Sequence, residues 1–252
     1  MIIINGPGLT NPYGIFWEKV NQFIAIDKKL LRKEVFAAPL APEAAIGQTT
    51  CSDYALQKGK ERLLQAEIDG YRGQAFTDSP GYYRGKFEDV LNLSLADNFE
   101  RAVFIAVFNA LLRSKGVIQK SVHCRDESPA RCALLLTEYI RERFTSPKVV
   151  LIGYQPRFAE TLAASFPLRI NDLDSDNIGK KIEGIKEIAI EPSTAAGKNM
   201  KWADLIIVTG SVIVNNTFSS FGDSRKPVLY FGTSIVGPAQ VLGLNHFCPL
   251  SD

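Results

Sequence analysis

Short apolar runs alternate with amphipathic segments through the second half of the chain. Residues 148–153, KVVLIG, end in glycine and are typical of a buried parallel strand. Further strands are predicted over 168–174, 185–190, 204–208 and 227–231, with helices over 158–166, 213–221 and 236–244. Strands that alternate with helices predict right-handed crossovers and a parallel sheet with helices on both faces.

The first half is less regular, because proline and glycine interrupt it repeatedly. The pattern predicts a helix over 16–26 and strands over 34–37, 62–68 and 73–80, and residues 2–4 are compatible with an edge strand. The clearest element is a helix over 97–113, where every residue from Ala102 to Leu112 except Asn109 is apolar. Asn109 therefore needs hydrogen-bond partners, either neighbouring backbone or a ligand in a cleft, and the structural role is favoured.

The two patterns together predict an α/β protein with two domains. A mixed α+β domain is expected over residues 1–118, followed by a Rossmann-like domain with a mainly parallel sheet over residues 119–252. The chain has 252 residues, of which 46% are hydrophobic, and this is enough for two separate cores.

Charge and hydropathy narrow the classes of partner. The formal net charge of +2 gives no electrostatic footprint for nucleic acid. No apolar run reaches the roughly 18 residues of a membrane span, and the N-terminus does not resemble a signal peptide. We therefore expect a cytoplasmic protein that binds neither nucleic acid nor membrane and that can form a homo-oligomer. The four cysteines are then expected to be thiols or metal ligands rather than disulfides.

The stretch SVHCRDESPARCALLL, residues 121–136, contains one of the two histidines and two of the four cysteines. Ser128 and Pro129 are typical of a helix start, with the serine as N-cap. This start would put Cys132 in the first helical turn, where the helix dipole favours a thiolate. His123 and Cys124 lie in the loop that leads to the helix.

A second pair of soft ligands lies in the segment GLNHFCP near residue 248. If that segment is extended, His246 and Cys248 point to the same side. Thiolate and imidazole groups suit a transition or heavy metal ion, although the spacing matches no zinc-finger signature. The candidate metal ligands are His123, Cys124, Cys132, His246 and Cys248. The alternative is that these residues are packed in the core and bind nothing.

Three predicted strand exits carry residues suited to a small ligand, which in a parallel sheet lies beyond the carboxyl ends of the strands. Gly153 follows the first strand without a GxGxxG fingerprint, so no standard NAD or FAD site is expected. Acids after the second strand suit ribose hydroxyls, and a helix N-terminus after residue 208 would suit an anion. The candidate ligand-binding residues are Thr77, Asp78, Asn109, Gly153, Asp172, Asp174, Asn177, Thr209, Gly210, Ser211 and Asn215.

An ordered set of motifs over residues 70–249 resembles the family of unknown function named "putative heavy-metal chelation". The motifs are GQAFTDSPGYYRGKFEDVL, NFERAVFIAVFNALL, VHCRDESPARCA, DLDSDNIG, WADLIIVTGSVIVNNTF and GLNHFCP. The resemblance implies an enolase N-terminal-like domain, a Rossmann-like domain and a site in the cleft between them. The positions that match family motifs are His123, Cys124, Cys132, Thr209, Gly210, Ser211, Asn215 and Cys248. Val212 and Asn216 depart from the family pattern.

Three functions from different classes are compatible with these residues. The leading hypothesis is binding of a heavy metal or metal complex in the interdomain cleft. The second is an enzyme acting on a small molecule with a nucleotide-like or anionic group, and the third is a binding module without chemistry. No Ser-His-Asp order, pair of catalytic carboxylates or phosphate-loop motif indicates a particular reaction.

Overall fold

The computed structural model describes residues 12–49, 53–182, 188–222 and 224–252. The edge strand predicted over 2–4, and Cys51, lie outside these residues. Among the helices that are described, none combines the length and the apolar character needed to cross a membrane.

The first half builds a four-stranded antiparallel sheet, in which the strands, counted along the chain, lie in the order third, second, first, fourth. One face of this sheet packs on a long helix, because inward side chains such as Val35 and Ala37 alternate with exposed ones such as Phe36. The elements are α1 (Pro12–Ile26), a 3₁₀ turn (Lys28–Arg32), β1 (Glu34–Pro39), α2 (Pro42–Ile46), α3 (Ala55–Lys58), β2 (Arg62–Ile68), β3 (Tyr71–Thr77), β4 (Tyr83–Lys86), α4 (Phe87–Leu91) and α5 (Asn98–Ser114).

The second half builds a six-stranded sheet in which every pair of neighbouring strands is parallel. The elements are α6 (Ser128–Arg143), β5 (Val149–Ile152), α7 (Pro156–Ala163), β6 (Leu168–Asp172), β7 (Ile190–Pro192), a 3₁₀ turn (Ser193–Ala195), α8 (Ala196–Trp202), β8 (Leu205–Thr209), a 3₁₀ turn (Gly210–Ile213), α9 (Ser219–Gly222), β9 (Val228–Phe231), a 3₁₀ turn (Thr233–Ile235), α10 (Val236–Leu242) and β10 (His246–Phe247). The prediction of an α/β fold with a mainly parallel second sheet is confirmed.

The order of the parallel strands is β10-β9-β8-β5-β6-β7, so the order in which strands are added to the sheet reverses between β5 and β8. After β5 the chain moves outward through β6 and β7, then returns to the other side of β5. Such a reversal opens a crevice at the carboxyl ends of the two central strands, and this is where ligands bind in doubly wound sheets.

The central strands are buried on both faces by different groups of helices. On one side Val150, Ile206 and Val228 join a core that includes α1, α5 and α10. On the other side, Val149 and Leu151 pack with α6 and α7. Because α5 lies in the predicted first domain yet shares a core with the parallel sheet, the two halves are joined by apolar packing. The division at residue 118 stays a prediction.

Helix α5 begins at Asn98, with Asp97 as its N-cap accepting a hydrogen bond from the Glu100 N–H at 2.8 Å. Its side chains from Arg101 to Leu112 are all buried. Strand β3 approaches this helix so closely that a Cβ atom on Gly73 would lie 2.2 Å from the Ala106 carbonyl oxygen. Only glycine permits that contact.

Two elements differ from the predictions. The third parallel strand was expected over 185–190, but β7 begins at Ile190, and residues 183–187 lie outside the described part of the chain. The helix expected over 213–221 is wrong. The chain instead forms the 3₁₀ turn Gly210–Ile213 and the short α9, because Asn216 between them adopts a left-handed conformation with φ of 58°.

Asn109 has the structural role that was favoured for it. Its Nδ2 donates to the carbonyl oxygens of Gln74, Thr233 and Ser234 at 3.0, 3.1 and 3.4 Å, and its Oδ1 accepts from the Gly237 N–H at 2.9 Å. The side chain is fully buried. It therefore ties α5 to β3 and to the start of α10.

We expect Asn109→Ala to lower the free energy of unfolding by about 2–4 kcal/mol, because it leaves buried backbone groups without partners. Urea denaturation of both proteins measures this change. The control is Asn92→Ala, since Asn92 is exposed and, among the described residues, its amide donates only to the Glu88 carbonyl. An effect at Asn109 no larger than the effect at Asn92 would contradict the structural role.

Candidate functional site

A cavity of about 730 Å³ lies at the carboxyl ends of β5, β6, β8 and β9. Residues from the first half close its other side, including Phe76, Thr77 and Asp78 at the end of β3. The structure brings most of the candidate residues together around this space: Thr77, Asp78, His123, Cys124, Cys132, Gly153, Asp172, Asp174, Asn177, Thr209, Gly210, Ser211, Asn215 and Cys248. Asn109 and His246 do not line it.

The crevice between the ends of β5 and β8 forms part of the cavity. Gly153 follows β5 with φ of 89°, and a Cβ atom there would lie 2.4 Å from Thr209 Cγ2. A residue with a side chain would fill the space between the two strand ends. Glycine is therefore needed both for its backbone conformation and to keep the crevice open.

The loop after β8 provides hydroxyl groups but no long helix. Thr209 Oγ1 lies 3.2 Å from Ser211 Oγ and accepts a hydrogen bond from the Ser211 N–H at 3.4 Å. The following 3₁₀ turn has only four residues. The predicted helix N-terminus for an anion is thus wrong, because one short turn does not accumulate a helix dipole.

Asp172 organises the turn that follows β6. Its Oδ2 accepts from the Tyr154 N–H at 2.5 Å, and its Oδ1 accepts from the Asp174 N–H at 2.7 Å. Asn177 Nδ2 donates a longer hydrogen bond, of 3.5 Å, to the same Oδ1. Because both carboxylate oxygens already hold the loops around them, Asp172 is less available to bind ribose hydroxyls than predicted.

One wall of the cavity is acidic. The charged side chains among its described lining residues are the carboxylates of Glu61, Asp78, Asp172 and Asp174 and one amine, that of Lys60. Glu61 was not predicted. It lies next to β2 with no neighbouring motif, and only the tertiary fold brings it to the strand exits. Burial, and then the nearby carboxylates of Asp172, Asp78 and Asp174, raise the pKa of Glu61 to about 7.

Another part of the cavity lining contains thiols. Cys124, Cys132 and Cys248 are all free and all line the cavity. They meet because the last residues of the described chain pair with the loop before α6, through hydrogen bonds between the backbones of Val122 and Asp252. Burial raises the pKa of Cys124 to about 12, and the neighbouring Cys248 raises it as well.

The thiolate predicted for Cys132 is not supported. Helix α6 begins at Ser128, with Glu127 at the N-cap position and no capping side chain, so Cys132 lies in the second turn. Burial raises the pKa of Cys132 above that of a free thiol, and the nearby Cys248 and Cys124 raise it as well. Loss of solvent therefore outweighs the helix dipole, and the thiol is protonated at neutral pH.

The two histidines lie in different surroundings. His123 lines the cavity, with Nδ1 3.4 Å from the Ala45 carbonyl oxygen, and burial lowers its pKa to about 4. The ring is therefore neutral at pH 7. His246 Nε2 lies 3.1 Å from the Gly232 carbonyl oxygen, and burial also lowers the pKa of this ring. A carbonyl only accepts, so Nε2 of neutral His246 carries the proton and is not a metal ligand.

The five predicted metal ligands do not form a ready chelating group. Within the described ranges, no set of three or more histidine, cysteine, aspartate or glutamate side chains is arranged to hold a metal ion. The structure thus gathers three thiols and one imidazole around the cavity without closing a ligand shell.

The fold and cavity define a two-sheet α/β protein with a space of small-ligand size at the strand ends. The sequence profile of the DUF364 family, described as "Putative heavy-metal chelation", matches residues 136–237. This match runs from the middle of α6 to the start of α10 and confirms the family resemblance seen in the motifs.

The fold is also similar to that of solved DUF364 proteins. The chain is similar to a DUF364 protein of unknown function from Pyrococcus horikoshii, with a TM-score of 0.53 and 12% identity over 89% of this chain and 80% of that one. A second DUF364 protein of unknown function, from Desulfitobacterium hafniense DCB-2, gives a TM-score of 0.46 and 13% identity over 72% and 73% of the two chains. No curated protein matches the chain. The likeness of the first half to an enolase N-terminal domain stays a prediction.

The raised pKa of Glu61 predicts a pH-dependent stability. Between about pH 4.3, the ordinary value for an unfolded glutamate, and pH 7, the folded state binds more protons than the unfolded state. The contribution of Glu61 is therefore fully present below about pH 4.3 and is lost as the pH rises to 7. We expect Glu61→Gln to gain on the order of 1–3 kcal/mol relative to the original protein between pH 4.5 and pH 7.5.

Urea unfolding of both proteins at pH 4.5, 6.0 and 7.5 measures this relative gain. Glu34→Gln controls for the change in net charge, because the Glu34 side chain is 81% exposed. A difference between the Glu61 variant and the original protein that stays constant over this range would contradict the raised pKa of Glu61.

Proposed function

We propose that the cavity binds a positively charged complex of a heavy metal. The observation that carries this proposal is the composition of the lining: four carboxylates against one amine, with three thiols in the same space. The similarity to a family described as "Putative heavy-metal chelation" supports the same class of ligand.

The size of the cavity favours a complex over a bare ion. Small-ligand sites typically enclose about 300–1,000 Å³, and this one measures about 730 Å³. A bare ion would instead need several ligands converging at 2.0–2.3 Å, and the described residues form no such group. A ligand that brings part of its own coordination shell needs fewer protein ligands.

The charge of the lining favours a cation. Carboxylates in a partly enclosed space raise the local concentration of cations, because the low dielectric constant of the walls screens them poorly. Asp78 and Asp174 each have one carboxylate oxygen that receives no hydrogen bond from the described residues.

The thiols favour a soft metal. Sulfur ligands select ions such as zinc, cadmium and copper(I), whereas hard ions prefer carboxylates and water. Because Cys124 and Cys132 are protonated at neutral pH, a metal that binds them must displace protons. Binding through these thiols is therefore expected to strengthen as the pH rises.

An enzyme acting on a nucleotide-like or anionic substrate fits the lining less well. The crevice where the strand order reverses, between β5 and β8, suits either a metal complex or an anionic small molecule. However, the carboxylates of Asp78, Asp172 and Asp174 repel phosphate. Asp172 already holds two loops, and the turn after β8 is too short for a helix-dipole site.

We expect hexaamminecobalt(III), an inert cationic metal complex, to bind the cavity, and we expect Asp174→Asn to weaken binding about three- to tenfold, since it removes one of the attracting charges. Isothermal titration calorimetry at low salt measures the affinity. The control variant is Glu34→Gln, which removes an exposed carboxylate on β1. Equal losses in both variants would indicate a general effect of net charge and would contradict a site in the cavity.

Cadmium tests the thiols. We expect Cys124→Ser/Cys132→Ser to lower cadmium affinity at least tenfold, because a hydroxyl is a poor ligand for a soft ion. Magnesium is the matched hard ion, and its binding should not depend on the thiols. Cadmium affinity that is unchanged in the double variant would remove these cysteines from the site.

Elemental analysis of protein purified without chelators then identifies the metal that the protein retains.

A further inference from the structure

A buried arginine lies behind the acidic wall of the cavity. Arg101, in the first turn of α5, is only 8% exposed, and no carboxylate of the described chain forms an ion pair with it. Its guanidinium instead donates to neutral acceptors: Nε to the Val214 carbonyl oxygen at 2.5 Å, Nη1 to the Leu95 carbonyl oxygen at 2.7 Å, and Nη2 to Asn98 Oδ1. A buried cation with only neutral partners is costly and needs a negative charge nearby.

The hydrogen bonds lead from this arginine to the cavity. Asn98 accepts from Arg101 with Oδ1 and donates with Nδ2 to Asp78 Oδ1 at 2.7 Å. Arg101 has no acceptor atom, so the carbonyl side of the Asn98 amide must face it and the amino side must face Asp78. The guanidinium therefore fixes the direction in which the amide points.

Asp78 is held on one side only. Its Oδ1 is bonded to Asn98, whereas its Oδ2 receives no hydrogen bond from the part of the chain that the structure describes. Both Asn98 and Asp78 line the cavity. Asp78 is an exposed residue at the rim of this space. The protein therefore orients the carboxylate through one oxygen, and the second oxygen is accessible to solvent or to a donor on a ligand.

We infer that Asp78 is the contact of the first half with the positive charge of the bound ligand, and that Asn98 and Arg101 are positioning residues that set its orientation. This inference rests on the proposed function and deepens it. It assigns to the ligand a hydrogen-bond donor, such as a metal-bound amine or water, on the side that faces β3. It also gives a reason for the buried Arg101 guanidinium, whose hydrogen-bond acceptors are all neutral.

The arrangement also links the two halves of the protein at the site. Arg101 Nε donates to the carbonyl oxygen of Val214, which directly follows the 3₁₀ turn after β8. The backbone carbonyl oxygen of Asn98 accepts a hydrogen bond from Thr77 Oγ1 at 3.4 Å. The start of α5 therefore holds the end of β3 and the loop after β8 in one network. A ligand that contacts Asp78 and the β8 loop would bind to both halves at once.

A double-mutant cycle tests the inference, with hexaamminecobalt(III) as the probe and calorimetry as the measurement. We expect Asp78→Asn to weaken binding about tenfold, and Asn98→Ala to weaken it about three- to tenfold. In the Asp78→Asn background, Asn98→Ala should change the affinity less than twofold, because Asn98 acts through Asp78. Asn98 is replaced instead of Arg101, because Arg101 also holds the β8 loop and its loss would destabilise the fold.

The cycle separates this inference from the proposed function. Equal effects of Asn98→Ala in both backgrounds, or no effect in either, would overturn the positioning role while leaving cation binding intact. Failure of the original protein to bind the probe would overturn the proposed function and this inference together. Urea unfolding of each variant verifies that the affinities are measured on folded protein.

Discussion

The burial of α5 is the constraint on which the rest of the structure depends. This helix is enclosed by the antiparallel sheet on one side and by the elements that follow β9 on the other, so ten of its twelve buried side chains are apolar. The two exceptions, Asn109 and Arg101, are polar because backbone groups of neighbouring segments face the helix at these positions and need hydrogen-bond partners. Asn109 satisfies the backbone of β3 and of the turn after β9, and Arg101 satisfies that of the loop after β8.

The position of the cavity follows from this packing. Because α5 joins β3 to the parallel sheet, the end of β3 lies over the crevice where the strand order reverses. The carboxyl ends of parallel strands would otherwise be open to solvent. The first half of the chain therefore forms one wall of the site, and the site exists only when both halves are packed together.

Much of this architecture could be predicted from the sequence, but the lining of the site only in part. Runs such as 148–153 predict parallel strands because they are apolar on both faces, and the exits of parallel strands necessarily meet. Glu61 could not be found in this way, since no periodicity relates the start of β2 to the exit of β6. The prediction that Cys132 is a thiolate was wrong for another reason. Burial opposes ionisation, and the degree of burial is a property of the tertiary structure.

The acidic and thiol regions would contribute differently to selection among metals. Carboxylates attract any cation, and their effect weakens with salt because part of the wall is open to solvent. The buried thiols oppose hard ions, since ionising them costs desolvation that only a strong metal–sulfur bond can offset. In the proposed function the acidic wall therefore governs how fast a cationic complex arrives, and the thiols govern which metal stays. Protonated thiols in a buried cavity are then part of the selectivity and not evidence against a metal ligand.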